Sequence, residues 1–361
     1  MSSKYDFLIV GAGLFGSVFA QQCKENKKSC LVIDKKDHIA GNVYSKNIEN
    51  IEVHMYGPHI FNTNNLDIWN YANRFSNFIQ YFHRVKAKFN EKVYSMPINL
   101  QTIYEIYGID DPQTAIKKIE KSKLKIENPK NLEDWCLATV GQELYEKFIK
   151  GYTQKQWGKP PKELPSSIIK RLPIRFNFDD RWHETKYSGI PENGYTKWVE
   201  NILNDIKVEL NTDFFEKSNW SKYAKTIIFT GPIDKLFNYC LGKLEYRSLK
   251  FETKTIPCND YQGISQINHT DLKNDFTRII EHKHFNYKTT EKTVVTWEYP
   301  DLNGDAPYYP INDEKNNNLH KKYVGLAAEQ KIQGGGRLFD YKYYNMDAVI
   351  AAAIKKFKQL C

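Results

Sequence analysis

Residues 5–10, Tyr-Asp-Phe-Leu-Ile-Val, read as a buried strand, and Gly11-Ala-Gly13-Leu-Phe-Gly16 follows without a gap. Phe15, Val18, Phe19 and Cys23 then recur at helical spacing. A second apolar run, Cys30 to Ile33, ends at Asp34, roughly twenty residues beyond the glycines. This order is the chemistry of pyrophosphate binding. Gly11 permits a tight turn, Gly13 lets the backbone approach the phosphates, and Gly16 lets the helix pack on the sheet. The helix N-terminus offers free N–H groups and a partial positive charge, and Asp34 can accept from a ribose diol. Leu14, Phe15 and Lys35 are expected as further contacts of the same ligand. A glycine turn with no ligand is the plain alternative, and the strand, helix, strand and acid around it favour a dinucleotide.

Two features favour FAD over NAD. Asp37-His-Ile-Ala-Gly41-Asn42 makes a second glycine turn just past the acid, where a longer cofactor body needs room. Gly335-Gly336-Arg337 precedes a last helix beginning near Met346, whose N-terminus would stabilise negative charge on a reduced flavin ring. That helix carries an apolar stripe, Met346, Val349, Ile350, Ala353, Ile354 and Phe357, so packing on the core also accounts for it.

Further elements must hold these turns. Residues 65–82 and 100–150 have helical periodicity, with a turn at 128–131 before a helix near Leu132. Pro160, Pro161, Pro165 and Pro173 make 158–173 mostly loop, with one short helix expected at 166–171. Residues 226–232 read as a buried strand ending in a glycine turn. From about 246 to 300 the pattern is strand-like, including Thr277 to Phe285 and Thr293 to Tyr299.

The chain has 361 residues, long enough for two or three domains. Its net charge of +9 is spread along the chain, without the basic stripe of a nucleic-acid binder. A basic surface with no specific partner and an anionic substrate both fit it. The 6 cysteines form no CxxC pair, so reduced thiols in a cytoplasmic protein are expected, and no zinc site. The apolar stretch from Phe7 to Ala20 is interrupted by glycine, and no run reaches the ~20 apolar residues of a membrane helix. Neither nucleic acid, membrane nor metal is expected as a partner.

From Tyr56-Gly-Pro-His59-Ile-Phe-Asn-Thr onward, the chain resembles a known family. The blocks that carry the resemblance include Lys150-Gly-Tyr-Thr-Gln-Lys-Gln-Trp-Gly158, Ile169-Lys-Arg171-Leu-Pro-Ile-Arg175 and Ile190-Pro-Glu-Asn-Gly-Tyr195. Leu244-Glu-Tyr-Arg-Ser-Leu-Lys-Phe-Glu252, Thr277-Arg278-Ile-Ile-Glu-His-Lys-His-Phe285, Pro307-Tyr-Tyr-Pro-Ile-Asn-Asp313 and Tyr341-Lys-Tyr-Tyr-Asn-Met346 continue it. In order and spacing, over nearly the whole chain, they resemble bacterial UDP-galactopyranose mutases. The resemblance implies an α/β fold: a discontinuous Rossmann-like FAD-binding domain (1–75, 200–245 and 320–361), an inserted helical substrate domain with a mobile loop (97–195), and an antiparallel β-sheet domain (76–96 and 246–319). It implies a pyranose–furanose interconversion of a nucleotide diphosphate sugar, by attack of reduced flavin N5 on the anomeric carbon with no net redox. NAD(P)H or another reductant, a homodimer, and a place in galactofuranose and cell-surface polysaccharide synthesis come with it.

The family's site residues carry over position by position. Arg171 and Arg278 match two diphosphate-binding arginines, Arg171 riding on the loop after the prolines. Fixed guanidinium forks suit a leaving diphosphate. His59 matches a histidine beside the flavin, with a buried structural histidine as the alternative. Tyr152, Trp157, Phe148 and Thr153 match the nucleotide–sugar pocket, where core aromatics are the alternative, and Asn268 is expected in the same pocket. Tyr308 and Tyr343 match tyrosines that reach the diphosphate. His282 and His284 are read as structural or as supporting the residues that touch the ligand. The chain departs from the family at Asn62 (usually His), His83 (usually Asn), Trp182 (usually Tyr) and Asn345 (usually Asp), all on the substrate side. Either these are neutral, or the sugar is a relative of galactose, such as an N-acetylamino or deoxy sugar on UDP or dTDP. An amine-oxidase-like FAD oxidoreductase would share the glycine turn and last helix but leave the Trp157 and Arg171 blocks unexplained. A non-catalytic nucleotide-sugar or FAD binder is the other alternative.

Overall fold

A computed structural model describes residues 4–168, 174–216, 220–304 and 306–361. A five-stranded parallel sheet runs in the order Lys207–Glu209, Cys30–Ile33, Tyr5–Val10, Ala224–Phe229, Gln333–Gly334. Its strands come from three separated stretches, so the sheet is discontinuous in sequence, as expected of the Rossmann-like part. The first helix, Leu14–Glu25, packs on the sheet beside the last helix, Met346–Leu360. Phe19 joins them: its ring meets Phe7 of the first strand at 5.3 Å and Phe357 of the last helix at 5.5 Å. The stripe read from the last helix does pack on the core, since Val349, Ile350, Ala353 and Phe357 are buried.

The second large sheet has seven strands, in the order Tyr309–Pro310, Tyr246–Ile256, Thr293–Asp301, Arg278–Glu281, Gln266–His269, Val85–Phe89, Lys92–Met96. Its pairings are antiparallel except that Gln266–His269 runs parallel to Val85–Phe89. The strand expected to run to Phe285 ends at Glu281, and His282–Phe285 is a 3-10 turn. There the His282 ring leaves the ladder and accepts the backbone N–H of His54.

Helices Leu100–Tyr107, Pro112–Ser122 and Leu132–Thr139 begin at Asn99, Asp111 and Asn131, each of which caps the first turn with its side chain. Only part of the expected 65–82 helix forms. It runs Leu66–Asn73, and Phe78–Gln80 is instead an edge strand of a three-stranded sheet with Tyr187–Pro191 and Phe61–Thr63. Pairing with Tyr187–Pro191 overrides the local periodicity. The short helix expected at 166–171 is a 3-10 turn over Ser166–Ile168, and its last residues lie outside the described ones. Among the described residues no helix is long and apolar enough to cross a membrane.

Candidate active site

A cavity of about 1200 Å³ opens between the two large sheets and the helices. Typical small-ligand sites measure roughly 300–1,000 Å³, so it has room for a long cofactor together with a second ligand. One end is the glycine turn. Gly11 has φ +113, a conformation that favours glycine, and a Cβ on Gly16 would meet Gly11 O at 2.0 Å, so both glycines are set by the scaffold. Gly13 differs. Its φ of −75 and ψ of 178 suit any residue, and a Cβ there would meet only Gly41 Cα, at 3.7 Å. The scaffold gives no reason for glycine at 13, which leaves an open cradle over a helix N-terminus with no side-chain cap. That combination fits a pyrophosphate. Asp34 ties the turn together by accepting from the N–H groups of Ala12 (2.8 Å) and Lys36 (2.9 Å). Leu14, Phe15, Lys35, Gly41 and Asn42 line the same end.

Gly336, Arg337 and Met346 also line the cavity. A Cβ on Gly335 would strike the Phe15 ring at 2.2 Å, so this turn and the first helix are fitted together. The last helix begins in the cavity wall; the Asn345 side chain makes no capping bond, and Asp347 in the first turn accepts the Ala348 N–H at 2.7 Å. His59 lines the cavity as well. Its Nδ1 lies 2.8 Å from Gly57 O and so carries the proton, leaving Nε2 as a lone-pair acceptor. Burial, against the pull of the Gly57 carbonyl, brings its pKa down to about 4, so the ring is neutral at pH 7. Behind it the backbone N–H of His59 donates to His54 Nδ1, and that of His54 donates to His282 Nδ1. His282 is therefore structural, as expected from its position.

The other half of the cavity carries the arginines. Arg278 Nη2 donates to the Tyr152 hydroxyl at 3.0 Å. Arg278 Nε is 2.9 Å from Glu298 Oε1, an ion pair without the alignment of a hydrogen bond. Burial is the largest influence and opposes the charge on Arg278, but Glu298 together with Tyr152 and Tyr309 outweighs it, so the guanidinium stays charged. Arg247 and Arg337 flank the Tyr309 ring at 5.5 and 5.7 Å, and each keeps a buried Nε with no hydrogen-bond partner. Arg337 also lies 4.6 Å from the Tyr343 ring. Tyr308 lines this half, where burial pushes its hydroxyl pKa up to about 12, so it remains a donor. Arg278 and Arg337 line the cavity, with Arg247 just outside its wall on Trp157, and guanidinium groups so placed favour a polyanion.

Tyr152 and Thr153 come from Gly151–Trp157, the continuation of a π-helical stretch, Tyr145–Lys150, that carries Phe148. A Cβ on Gly151 would meet Thr270 O at 2.4 Å, so glycine lets this helix press onto the sheet and aim Tyr152 and Phe148 into the cavity. Asn62, His83, Trp182, Asn268, Tyr343 and Asn345 also line the cavity, so the positions that depart from the family pattern share one site. Two expected residues do not join them. Trp157 is not in the wall; its ring lies under the Arg247 guanidinium at 4.0 Å and braces it. Arg171 lies outside the described residues. Sequence reasoning missed Tyr309 and Arg247, although both fall in blocks quoted for the resemblance. It also missed Gln266, for which the only signal is its placement two residues before Asn268 on one strand face.

Comparisons with known proteins show what the chain is similar to. A family model described as UDP-galactopyranose mutase matches residues 147–343, and one for NAD(P)-binding Rossmann-like domains matches 9–75. The chain is 41% identical to a protein of Klebsiella pneumoniae named "Probable UDP-galactopyranose mutase", over 97% of this chain and 93% of the relative. It is 38% identical to the dTDP-fucopyranose mutase of Escherichia coli, over 96% of each. With the UDP-galactopyranose mutase of Mycoplasma genitalium the identity is 33%, over 99% of this chain and 95% of the relative. Among solved structures, a reduced UDP-galactopyranose mutase superposes with a TM-score of 0.77 at 16% identity, covering 99% of this chain and 93% of that one. An oxidoreductase from Methanosarcina mazei superposes with a TM-score of 0.54 at 11% identity, covering 90% and 83%, a likeness of fold alone.

Proposed function

The chain belongs to the UDP-galactopyranose mutase family, and from that premise we propose that it is a flavin-dependent isomerase interconverting the pyranose and furanose forms of a nucleotide diphosphate sugar. The observation that carries this reading is a single cavity joining a dinucleotide-type glycine cradle to the guanidinium groups of Arg278 and Arg337. The cofactor is FAD: the open space over Gly13 suits its pyrophosphate, and the helix beginning at Met346, whose Asn345 makes no capping bond, suits its ring. In reduced form the flavin supplies a nucleophilic nitrogen to the anomeric carbon.

The chain's own residues do the rest. Arg278, with Arg171, Tyr308 and Tyr343, holds the diphosphate and stabilises the charge it gains as the bond from its oxygen to the anomeric carbon breaks. The same groups keep it in place until that oxygen re-forms the bond, so no electrons are gained or lost overall. Tyr152 stays a neutral hydroxyl, because burial raises its pKa against the pull of Arg278, and it fixes the guanidinium by its hydrogen bond. His59 stays neutral and presents Nε2 as an acceptor beside the ring. Phe148, Thr153 and Asn268 receive the nucleotide. The last helix N-terminus faces negative charge on the ring, and an uncharged Asn345 there adds no repulsion.

The sugar is galactose or a close relative, with UDP-galactose, UDP-N-acetylgalactosamine and dTDP-fucose as the candidate substrates. Asn62, His83, Trp182 and Asn345 decide among them. NAD(P)H or another reductant is the partner, and a homodimer in the cytoplasm serving cell-surface polysaccharide synthesis is the setting this reading expects. The test is mass-balanced product analysis of reduced protein with those three nucleotide sugars. Conversion of one to an isomer supports the reading, and absence of an isomeric product from all three defeats it.

A further inference from the structure

His83 is 4% exposed in the cavity wall, and its two ring nitrogens are employed differently. Nε2 lies 3.2 Å from Gln266 Oε1, and Gln266 Nε2 lies 2.7 Å from Asn268 Oδ1. A glutamine amide has one donor end and one acceptor end. Its donor end serves Asn268, so its acceptor end takes a proton from His83, and Nε2 carries the hydrogen. Burial drives the ring pKa down to about 3, with the Gln266 bond pulling the other way and His183 and Arg278 reinforcing the drop. A neutral ring protonated on Nε2 has a bare lone pair on Nδ1, and Nδ1 is buried without a hydrogen-bond partner.

A buried acceptor with nothing to accept is costly, and a wall built this way favours a ligand that brings a donor. The position of the ring says which part of the ligand that is. His83 lies 6.2 Å from Phe285, and Phe285 stacks at 4.7 Å on His54, the ring that receives the His59 N–H. His83 thus lies on the His59 side of the cavity, where the reacting sugar sits if the proposed function holds.

We propose that His83 Nδ1 is a specificity-determining acceptor for one donor on the sugar, a hydroxyl or an acylamino N–H, with Gln266 and Asn268 as positioning residues that fix its tautomer. The inference rests on the proposed function for the ligand class. It implies that a sugar deoxygenated at the facing carbon is rejected, because the lone pair then stays unpaired.

The experiment titrates flavin-loaded protein with UDP-galactose and its 2-, 3-, 4- and 6-deoxy analogues, for wild type and His83→Phe. In wild type one deoxy analogue is expected to bind weaker by roughly tenfold to a hundredfold. In His83→Phe that one penalty collapses to about threefold or less, and the others stay. Nitrogen-15 spectra of the histidines give a second measurement that needs no His83 variant: Nδ1 of His83 bare in wild type, and the signature changed in Gln266→Leu. Deoxy penalties unchanged by His83→Phe, or a proton on Nδ1 in wild type, overturn the proposal. So does a penalty that follows methylation of the pyrimidine N3 and no sugar position. Binding to wild type of none of these nucleotide sugars, nor of UDP-N-acetylgalactosamine or dTDP-fucose, defeats the proposed function itself, whereas tight binding with no deoxy penalty defeats the inference alone.

Discussion

Gly13→Val separates the cofactor cradle from the scaffold. Position 13 has an extended backbone open to any residue, and a Cβ there makes one ordinary contact, 3.7 Å to Gly41 Cα. Replacing glycine at a compatible position stabilises by about 0.4–1 kcal/mol through the unfolded chain, so the apoprotein is expected to melt within a few degrees of wild type. Gly16→Ala is the contrast. Its Cβ would stand 2.0 Å from Gly11 O and 3.1 Å from Ile9 Cγ2, forcing the first helix off the sheet. A cost of about 1–3 kcal/mol or more follows, with or without cofactor. If the space over Gly13 is kept for a pyrophosphate, the valine side chain fills it and removes charge-assisted bonds worth about 1.5–3 kcal/mol each, lowering flavin affinity at least tenfold. The assay is flavin absorbance per chain after purification, beside the thermal midpoint of the stripped protein. A Gly13→Val protein that carries a full complement of flavin refutes the cradle. One that fails to fold refutes the claim that the vacancy belongs to a ligand.

Arg278→Ala is expected to abolish turnover with flavin still bound, and to cost about 3–5 kcal/mol of stability by leaving Glu298 buried without its partner. Adding Glu298→Gln should restore the stability and not the turnover, and near-normal turnover of either variant removes Arg278 from the chemistry. Acid should loosen the fold in a defined window. His54, His59, His83 and His282 all have pKa values lowered by burial, to about 4 for His59 and about 3 for His83 and His282. The unfolded chain, titrating near about 6.5, therefore binds more protons below that pH, so stability is full above it and is lost as pH falls toward the folded values. His282→Gln should flatten the slope of unfolding free energy against pH by up to about 1.4 kcal/mol per pH unit at about pH 5, and an unchanged slope contradicts the assignment.

The glycine turn, the first two strands and the last helix were legible because each is local: apolar periodicity and turn chemistry fix them without reference to the rest of the chain. The strand at Phe78–Gln80 was not, because its conformation is set by pairing with residues more than a hundred positions away. The turn at His282–Phe285 likewise depends on a bond to His54 from the other end of the sequence. The site divides the same way. Residues inside long family blocks, such as Tyr152 and Arg278, could be named from sequence. The bracing of Arg247 by Trp157, and the line from His83 through Gln266 to Asn268, exist only once distant strands are in register. The family resemblance could nominate Trp157 for the pocket, but only packing reveals that it supports an arginine.

The central claim is that the reduced flavin works without being consumed, and the electron balance over many turnovers tests it most directly. Protein reduced once, freed of excess reductant and kept from oxygen, is mixed with a large excess of the preferred nucleotide sugar. The flavin spectrum and the mass of the product are then followed together. The account predicts a product isomeric with its substrate, many equivalents per flavin, and a flavin that remains reduced throughout, with no conversion by the oxidised protein. Substrate-dependent bleaching of the oxidised flavin, or a product two hydrogens lighter than its substrate, would instead mark an oxidoreductase built on the same fold.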